Sequence, residues 1–274
     1  MLQTVSKFLA GSLYRAFNGV KPECFQLLEV LCINESNELE PNLARDCTVT
    51  LAYFASTPLP REVVGDFLSA VEVIVSRSAS WKAKSAALDL LQVSVFFNMP
   101  TILSNPEWVS RVMSVVVASG IESEERVEVR VKAGAVLSGL LHCQFVGEDK
   151  RKELMESFRK RASTKLKKTK DSADDSESAA AKAAQRVRKR HSGVIGLCSF
   201  VNAFPYDVPA FVPDVLMHLS AHLHDPQPIP VIVKKTLQDF KRTHQDNWQD
   251  HKQKFTEDQL TVLTDLLVSP SYYA

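Results

Sequence analysis

Apolar residues recur at three- and four-residue steps in segment after segment of this 274-residue chain. This spacing is the period of an α-helix that buries one face. It occurs within residues 4–18 and is repeated along the chain as far as the segment "EDQLTVLTDLL". The alternation of apolar and polar residues that would predict strands does not stand out over any useful length. The pattern therefore predicts an all-α protein.

Turn and capping residues divide this pattern into separate helices. Pro22 suits the first turn of a helix, and Ser80 stands where another helix begins. Asn105, followed by Pro106, predicts a helix N-terminus, and Gly120 predicts the C-terminal cap of that helix. The helices so defined come in pairs joined by short turns.

A basic residue recurs near the start of the second helix of successive pairs. These basic anchors are Arg45, Lys84, Lys132, Arg190 and Lys234, which subtraction places 39, 48, 58 and 44 residues apart. HEAT and armadillo repeats run about 40–47 residues. We therefore predict a HEAT/armadillo-like α-solenoid of stacked antiparallel helix pairs, with an irregular helical bundle of coincidental spacing as the alternative.

The longest of these intervals contains a charged insertion. Residues 149–190 begin as a charged helix, and the stretch from about Ser163 to Ala184 has almost no core-forming side chain. Such a stretch cannot offset its ordering entropy, so we expect a mobile loop. The predicted organisation is HEAT-like repeats over residues 1–148, the insertion over 149–190 and a C-terminal domain over 191–274.

Two basic clusters flank the acidic middle of this insertion. They consist of Lys165, Lys167, Lys168 and Lys170 on one side and Arg186, Arg188, Lys189 and Arg190 on the other. Two such clusters around a flexible spacer are typical of a bipartite nuclear-import signal, with a solvated surface loop as the plainer interpretation. Because no aromatic residues interleave the charges, we do not expect direct contact with nucleic acid.

Composition narrows the choice of partner and compartment. The 33 basic and 32 acidic residues nearly balance, and no run approaches the ~20 apolar residues that a membrane span needs. The five cysteines are odd in number and form no CxxC pair, which indicates reduced thiols in a reducing compartment. We expect an intracellular protein without a membrane partner.

Residues that could carry chemistry are few. His218 and His222 have the i,i+4 spacing of zinc ligands, and His224 and Asp225 follow them. The glutamate of HExxH is missing and no cysteine pair lies nearby, so we interpret the cluster as a helix end and predict no metal and no cofactor. Without a GxSxG elbow or a Gly-rich phosphate loop, we predict that the protein is not an enzyme.

The sequence closes with "LLVSPSYYA", an aromatic pair beyond a proline that ends the preceding helix. Tyr272, Tyr273 and Ala274 would then project as a short extended segment. A terminal carboxylate suits capture by a cationic pocket, and tyrosine is a common interface anchor. The alternative is that both tyrosines fold back onto the last helices.

Three stretches carry a resemblance to a known family. The stretches "FPYDVPAFVPDVL", "TLQDFKRTHQDNWQDHKQKFTEDQL" and the terminal "YYA" resemble the C-terminal region of the large HEAT-repeat activators of the proteasome activator complex subunit 4 family. The resemblance covers at least residues 191–274. Members of the family are several times longer, so the chain is expected to be a C-terminal fragment or a short form.

The resemblance implies a function for the last three residues. In this family the C-terminus docks in a pocket between neighbouring α-subunits of the proteasome core particle, which assigns docking to Tyr272, Tyr273 and Ala274. Degradation would then be promoted without ATP or ubiquitin. The resemblance also implies a nuclear and cytoplasmic protein with acetylated histones as substrates, and roles in DNA repair and spermatogenesis. The main alternative is a nuclear-transport or scaffold solenoid that binds other proteins.

A bromodomain-like segment is implied as well, over about residues 80–165. Gln144 and Phe145 stand where the family has an Asn-Phe pair whose amide binds the acetyl-lysine carbonyl. Glutamine keeps the amide but moves it outward by one methylene group. A plain HEAT helix pair without acetyl-lysine recognition is the alternative.

Overall fold

The computed structural model describes residues 22–166 and 176–267. The helix predicted within residues 4–18 and the predicted docking residues Tyr272, Tyr273 and Ala274 lie outside these ranges. The chain divides into two compact units, Met1–Leu137 and Ser138–Ala274. All regular elements of the described residues are helical, which confirms the all-α fold class.

The first unit is a succession of helices joined by short turns. A 3₁₀ turn, Pro22–Leu27, leads into α1 (Leu28–Asn34), α2 (Pro41–Ser56), α3 (Arg61–Arg77), α4 (Trp81–Phe97), α5 (Met99–Leu103) and α6 (Pro106–Met113), which continues as a π-helix over Ser114–Ser123 and is followed by α7 (Val127–His142). Helix α4 packs against α1, α2 and α3. The boundary between the two units lies within α7.

Apolar side chains at helical spacing form the core of this unit. The largest fully buried side chains here are Phe54, Phe67, Leu28, Leu31, Leu68, Leu88, Leu91, Ile102, Ile121 and Leu137. Each large aliphatic or aromatic side chain that is removed from water stabilises the fold by about 1.5–3 kcal/mol. The apolar residues that recur at the helical period therefore include the buried face of these helices.

The caps confirm two of the helix starts and correct one helix end. The Asn105 side chain accepts from the Glu107 N–H at 3.0 Å with Pro106 in the first turn, and the Ser80 hydroxyl accepts from the Ala83 N–H at 3.2 Å. The prediction that Gly120 ends its helix is wrong, because the chain continues as the π-helix beyond it. Gly120 instead lies against Ala133 of α7, so close that a Cβ would come within 2.7 Å of the Ala133 Cβ.

The described part of the second unit contains six further helices. They are α8 (Glu148–Ala162), α9 (Ser176–Asn202), α10 (Val212–Ser220), α11 (Ile229–His244), α12 (Trp248–His251), which runs into a 3₁₀ turn over Lys252–Lys254, and α13 (Glu257–Leu267). Helix α8 is the charged helix predicted at the start of the insertion. Helix α9 also packs against α10 and α11.

Helices α8 and α9 form a tight antiparallel pair because two glycines remove side chains from their contact. Gly193 faces the backbone of α8 at Phe158 and Ala162, and Gly196 faces the Phe158 ring. A Cβ at either glycine would overlap these atoms. Gly193 and Gly196 are therefore positions at which the absence of a side chain permits close helix packing.

The predicted loop from about Ser163 to Ala184 is too long. Helix α9 begins at Ser176, so residues 176–184 are helical rather than part of a loop. Alanine dominates this stretch and has the highest helix propensity, so the helix extends outward from its buried part although none of residues 180–184 is buried. The division of the chain at residues 148 and 190 stays a prediction.

No helix in the ranges described combines the length and apolar character needed to cross a bilayer. All five cysteines lie in these ranges, and none is joined in a disulfide. Burial raises the pKa of the Cys32 and Cys198 thiols to about 12, so both are protonated.

Candidate functional site

The last described helix, α13, is fixed at its N-terminus by a reciprocal capping box. The Thr256 N–H donates to the Gln259 side-chain oxygen at 3.0 Å, and the Gln259 N–H donates to the Thr256 hydroxyl at 3.3 Å. The Gln259 amide group also donates to Asp214 of α10 at 3.0 Å. Two N–H groups that a helix leaves without intrahelical partners are satisfied in this way, and the start of α13 is tied to α10.

Aromatic rings support the turn that precedes α13. Phe255 is buried, with its ring 6.4 Å from Phe240 of α11 and 5.8 Å from Trp248 of α12. The buried ring of His244 stacks on Phe240 at 4.1 Å, and its Nε2 lies 3.0 Å from the Asp207 carbonyl oxygen. These contacts join α11, α12 and the loop before α10 to the turn that leads into α13.

Charged groups at the edge of this cluster keep it polar on the outside. Lys254 donates to the Asp207 carboxylate at 2.8 Å, and this bond holds the pKa of Asp207 below its usual range. Burial lowers the pKa of His251, and the neighbouring His244 lowers it further. At neutral pH the Asp207 carboxylate is therefore charged and the His251 imidazole is neutral.

Helix α13 extends from this anchored N-terminus to the last of the described residues. It packs against α10 and α11, and Leu263 in its middle is buried. We call α10 to α13 with their connecting turns the C-terminal platform. Leu267, the last described residue, precedes Tyr272 by five positions. In the sequence, the predicted docking residues thus follow a helix with a defined anchor after four intervening residues.

Gln144 and Phe145 have a clear local role at the end of α7. The Phe145 N–H donates to the Leu140 carbonyl at 3.0 Å and the Gln144 N–H donates to the Leu141 carbonyl at 3.1 Å, which is the Schellman pattern of a helix C-terminus. Gln144 takes the left-handed position with φ of 54° and is exposed, whereas Phe145 is 2% exposed. The two predicted acetyl-lysine contacts therefore point to different environments, one to solvent and one to the core.

The residues of the predicted import signal are placed in different settings. Lys165 and Lys189 are exposed, and Arg186 and Arg188 are half-buried. Arg190 instead donates to Asp225 at 2.5 Å and to the Thr164 carbonyl at 2.9 Å. The other members, Lys167, Lys168 and Lys170, lie outside the described residues.

The histidine cluster is part of an ion-pair chain. Asp225 accepts from Arg190 and lies 2.7 Å from the His222 Nδ1, while the His218 and His222 rings are 5.3 Å apart. Burial lowers the pKa of His218, and the neighbouring His222 lowers it further. In the part of the chain that the structure covers, no group of three or more His, Cys, Asp or Glu side chains is placed to hold a metal ion.

Sequence reasoning missed several of these contacts. The capping box has a readable signal, since "TEDQ" is the S/T-x-x-E/Q pattern before an apolar run. The Arg190–Asp225 pair joins residues 35 positions apart, and the His244–Asp207 contact spans 37 positions. No local pattern could have identified those two contacts.

Sequence comparison gives the relationship of the chain to known proteins. Residues 187–274, which include the C-terminal platform, match the family model described as proteasome activator complex subunit 4-like, C-terminal. The resemblance predicted from the sequence is thereby confirmed.

Similarity to individual relatives extends over the whole chain. Proteasome activator complex subunit 4A of Danio rerio and proteasome activator complex subunit 4 of Homo sapiens are 43% and 41% identical over 277 aligned residues that include all of this chain. Proteasome activator BLM10 of Saccharomyces cerevisiae is 26% identical over 206 residues, 74% of this chain and 9% of the relative. The chain spans 15% of the length of the two vertebrate relatives.

Proposed function

We propose that this chain, which belongs to the proteasome activator complex subunit 4 family, binds the proteasome core particle and promotes degradation without ATP or ubiquitin. The observation that carries the proposal is the match of residues 187–274 to the C-terminal family model, because this segment holds both the C-terminal platform and the tail. The two vertebrate relatives that align with the full chain, and the yeast relative that aligns with 74% of it, are named as proteasome activators.

The proposed contact is made by the tail. Tyr272 and Tyr273 would insert as aromatic anchors into a pocket between two α-subunits, and the carboxylate of Ala274 would pair with a cationic group there. Seven residues, 268–274, follow the last described residue of α13. An extended chain of this length reaches at most roughly 25 Å, so the platform has to come close to the surface that the tail enters.

The test is binding of purified core particles to the 274-residue chain. Surface-immobilised core particles are titrated with the wild-type chain, with a chain that lacks residues 272–274, and with Tyr273→Ala. Hydrolysis of a fluorogenic peptide by the core particle is followed in the same samples without ATP. We expect both variants to lose binding at least about 30-fold, because a buried interface tyrosine contributes on the order of 2 kcal/mol or more.

Tyr206 provides a matched control for these variants. It is 75% exposed on the loop before α10, so Tyr206→Ala removes a surface tyrosine of the same chain without touching the tail. This variant is expected to bind and stimulate as wild type does. A further variant with one extra residue after Ala274 keeps both tyrosines but displaces the carboxylate, and it should also lose binding. Unchanged core-particle binding by the truncated chain would contradict the proposal and favour a scaffold solenoid.

Binding of acetylated histones is a second part of the proposal, and the geometry of Gln144 makes it testable. A glycine fits the left-handed backbone at this position better than glutamine does, so Gln144→Gly deletes the amide and should raise stability by about 1 kcal/mol. If the Gln144 amide binds the carbonyl of acetyl-lysine, this variant loses the preference for acetylated over unmodified histone-tail peptides. Equal affinity of the wild-type chain for both peptides would remove this part of the proposal.

Nuclear as well as cytoplasmic localisation is proposed on the basic clusters. A fluorescent fusion in which Arg186, Arg188 and Lys189 are replaced by alanine should shift toward the cytoplasm. Arg190 is left in place in this variant because its pairing with Asp225 is structural. An unchanged nuclear fraction would show that these residues do not direct import.

A further inference from the structure

The same basic motif before a serine occurs twice in the second unit. The end of α8 reads "RKRAS", residues 159–163, and α9 contains "RKRHS", residues 188–192. Both place three consecutive basic residues at positions −4 to −2 relative to a serine. Kinases select substrates partly by such charge patterns, because acidic subsites on the kinase hold the basic side chains that precede the acceptor hydroxyl.

The two serines differ in their exposure to solvent. Ser163 is exposed and stands just after the last residue of α8, where its N–H and its hydroxyl both donate to the Arg159 carbonyl, at 3.0 Å and 2.9 Å. Ser192 is 0% exposed in the interior of α9, and its hydroxyl donates to the Lys189 carbonyl at 2.8 Å. One copy of the motif is therefore accessible and the other is enclosed.

A kinase must hold its acceptor segment in an extended form around the hydroxyl, so the cost of opening the helix decides which serine can react. At Ser163 the opening involves the last turn of α8, and helix ends open locally at low cost. At Ser192 it would involve the middle of a helix whose next eight residues, 193–200, are all buried. Opening there would break the packing of α9 against α8.

We propose that Ser163 is a phosphorylation site for a basophilic serine/threonine kinase. In the reaction the Ser163 Oγ attacks the γ-phosphorus of ATP, an Oγ–P bond forms, and the bond between that phosphorus and the bridging oxygen breaks to release ADP. The hydroxyl proton passes to the catalytic base of the kinase. Arg159, Lys160 and Arg161 provide the recognition charge, and the buried Ser192 is passed over.

The surroundings of Ser163 can accommodate the added charge. A phosphate at the C-terminus of a helix is repelled by the helix dipole, so the site needs positive charge nearby. The three basic residues of the motif supply it from α8. Arg190 of α9 also lies close, since its Nε donates to the carbonyl of Thr164, the residue next to Ser163, at 2.9 Å, while its Nη1 is paired with Asp225.

The experiment phosphorylates the folded 274-residue chain with the catalytic subunit of a cAMP-dependent kinase and radiolabelled ATP, with sites mapped by mass spectrometry. The wild-type chain should take up about one phosphate at Ser163. Ser163→Ala should lower the rate at least about tenfold, while the matched control Ser192→Ala should leave it unchanged. Circular dichroism verifies that both variants keep the helical content of the wild type.

Two synthetic peptides separate the motif from the fold. Peptides spanning residues 157–167 and 186–196 contain the two motifs without tertiary structure, so both should be phosphorylated at comparable rates. Phosphate on Ser163 in the folded chain and on both serines in the peptides supports the proposal. Wild-type rates in Ser163→Ala, modification of Ser192 or Thr164 in place of Ser163, or failure of the folded chain to react at all would overturn it.

Discussion

Gly65 and Gly193 both lie inside helices, yet they have opposite surroundings. Nothing lies within 4 Å of a Cβ built on Gly65 in α3. A Cβ on Gly193 in α9 would overlap the backbone of α8 at Phe158 and Ala162, which cannot move aside as a flexible side chain could. A glycine in open space only costs helix propensity, whereas one at a helix crossing permits the contact.

This contrast predicts opposite effects of the same substitution. Gly65→Ala should raise the free energy of unfolding by about 0.5–1 kcal/mol because alanine is the better helix former. Gly193→Ala should lower it by about 1–3 kcal/mol because α8 and α9 are forced apart. Urea unfolding of the two variants against wild type measures both changes, and a stabilised Gly193→Ala would contradict the close approach of the two helices.

Between elements, ion pairs that range from buried to exposed connect segments that are far apart in the sequence. Lys84 of α4 donates to Glu124, just before α7, at 2.6 Å, and Lys132 of α7 donates to Asp89 of α4 at 2.8 Å. The basic anchors Lys84 and Lys132 thus link α4 and α7 in both directions. Arg190 makes the corresponding contact in the second unit with Asp225.

Glu124 is the most enclosed carboxylate of these pairs. Its side chain is 5% exposed and that of Lys84 is 15% exposed. Burial by itself raises the pKa of Glu124, but hydrogen bonds from the Arg126 N–H, the Lys84 ammonium and the Glu125 N–H outweigh it, so the pKa lies below the usual 4.5. The charged form is therefore favoured by the folded state.

The lowered pKa predicts a pH-dependent effect of Glu124→Gln. A carboxyl group whose pKa is lower in the folded than in the unfolded chain stabilises the fold above pH 4.5, and this contribution is lost as the pH falls through the folded-state pKa. Glu124→Gln should therefore destabilise the chain by about 1–3 kcal/mol at pH 7 and by clearly less near pH 3. Chemical unfolding at both pH values measures the difference. A constant difference at the two pH values would contradict this account.

A structural feature could be predicted from the sequence when the residues that cause it lie close together in the chain. Asn105 and Ser80 cap helices through residues two and three positions away, and such signals are legible in a single sequence. Gly120 carries the same kind of signal, but its packing against Ala133 overrides it and the helix continues. Gln144 in a left-handed position was not predictable, because that position normally selects glycine or asparagine.

At the candidate site too, local features could be predicted from the sequence and contacts between distant residues could not. The terminal aromatic pair and the proline before it could be interpreted as a docking element directly from the sequence. The platform that precedes them in the chain could not be predicted, because it depends on contacts such as Gln259 with Asp214, 45 positions apart. The high helix propensity of alanine also extended α9 over part of the predicted loop, where the lack of core-forming side chains had indicated disorder.

At the scale of the whole molecule, the segment that matches the family model is shorter than the segment needed to bury the core around α9. The match begins at residue 187, within α9, and leaves out α8. Phe158 of α8 is completely buried against Gly196 of α9, and Ala162 is completely buried against Gly193. Without α8, the face of α9 that carries Gly193 and Gly196 loses the apolar side chains that pack against it.

This difference predicts that residues 187–274 do not fold alone, whereas residues 127–274, which start with α7 and include α8, do. Loss of the Phe158 contact alone should cost about 3–5 kcal/mol, a large share of the stability of a small domain. Thermal unfolding followed by circular dichroism should give a cooperative transition for the longer fragment and none for the shorter one. The single substitution Phe158→Ala should remove most of the cooperative thermal transition of the longer fragment, so that it unfolds much as the shorter one does. A cooperative transition of residues 187–274 at the same temperature would show that α8 is dispensable, and the segment that carries the proposed docking function would then be an independent domain.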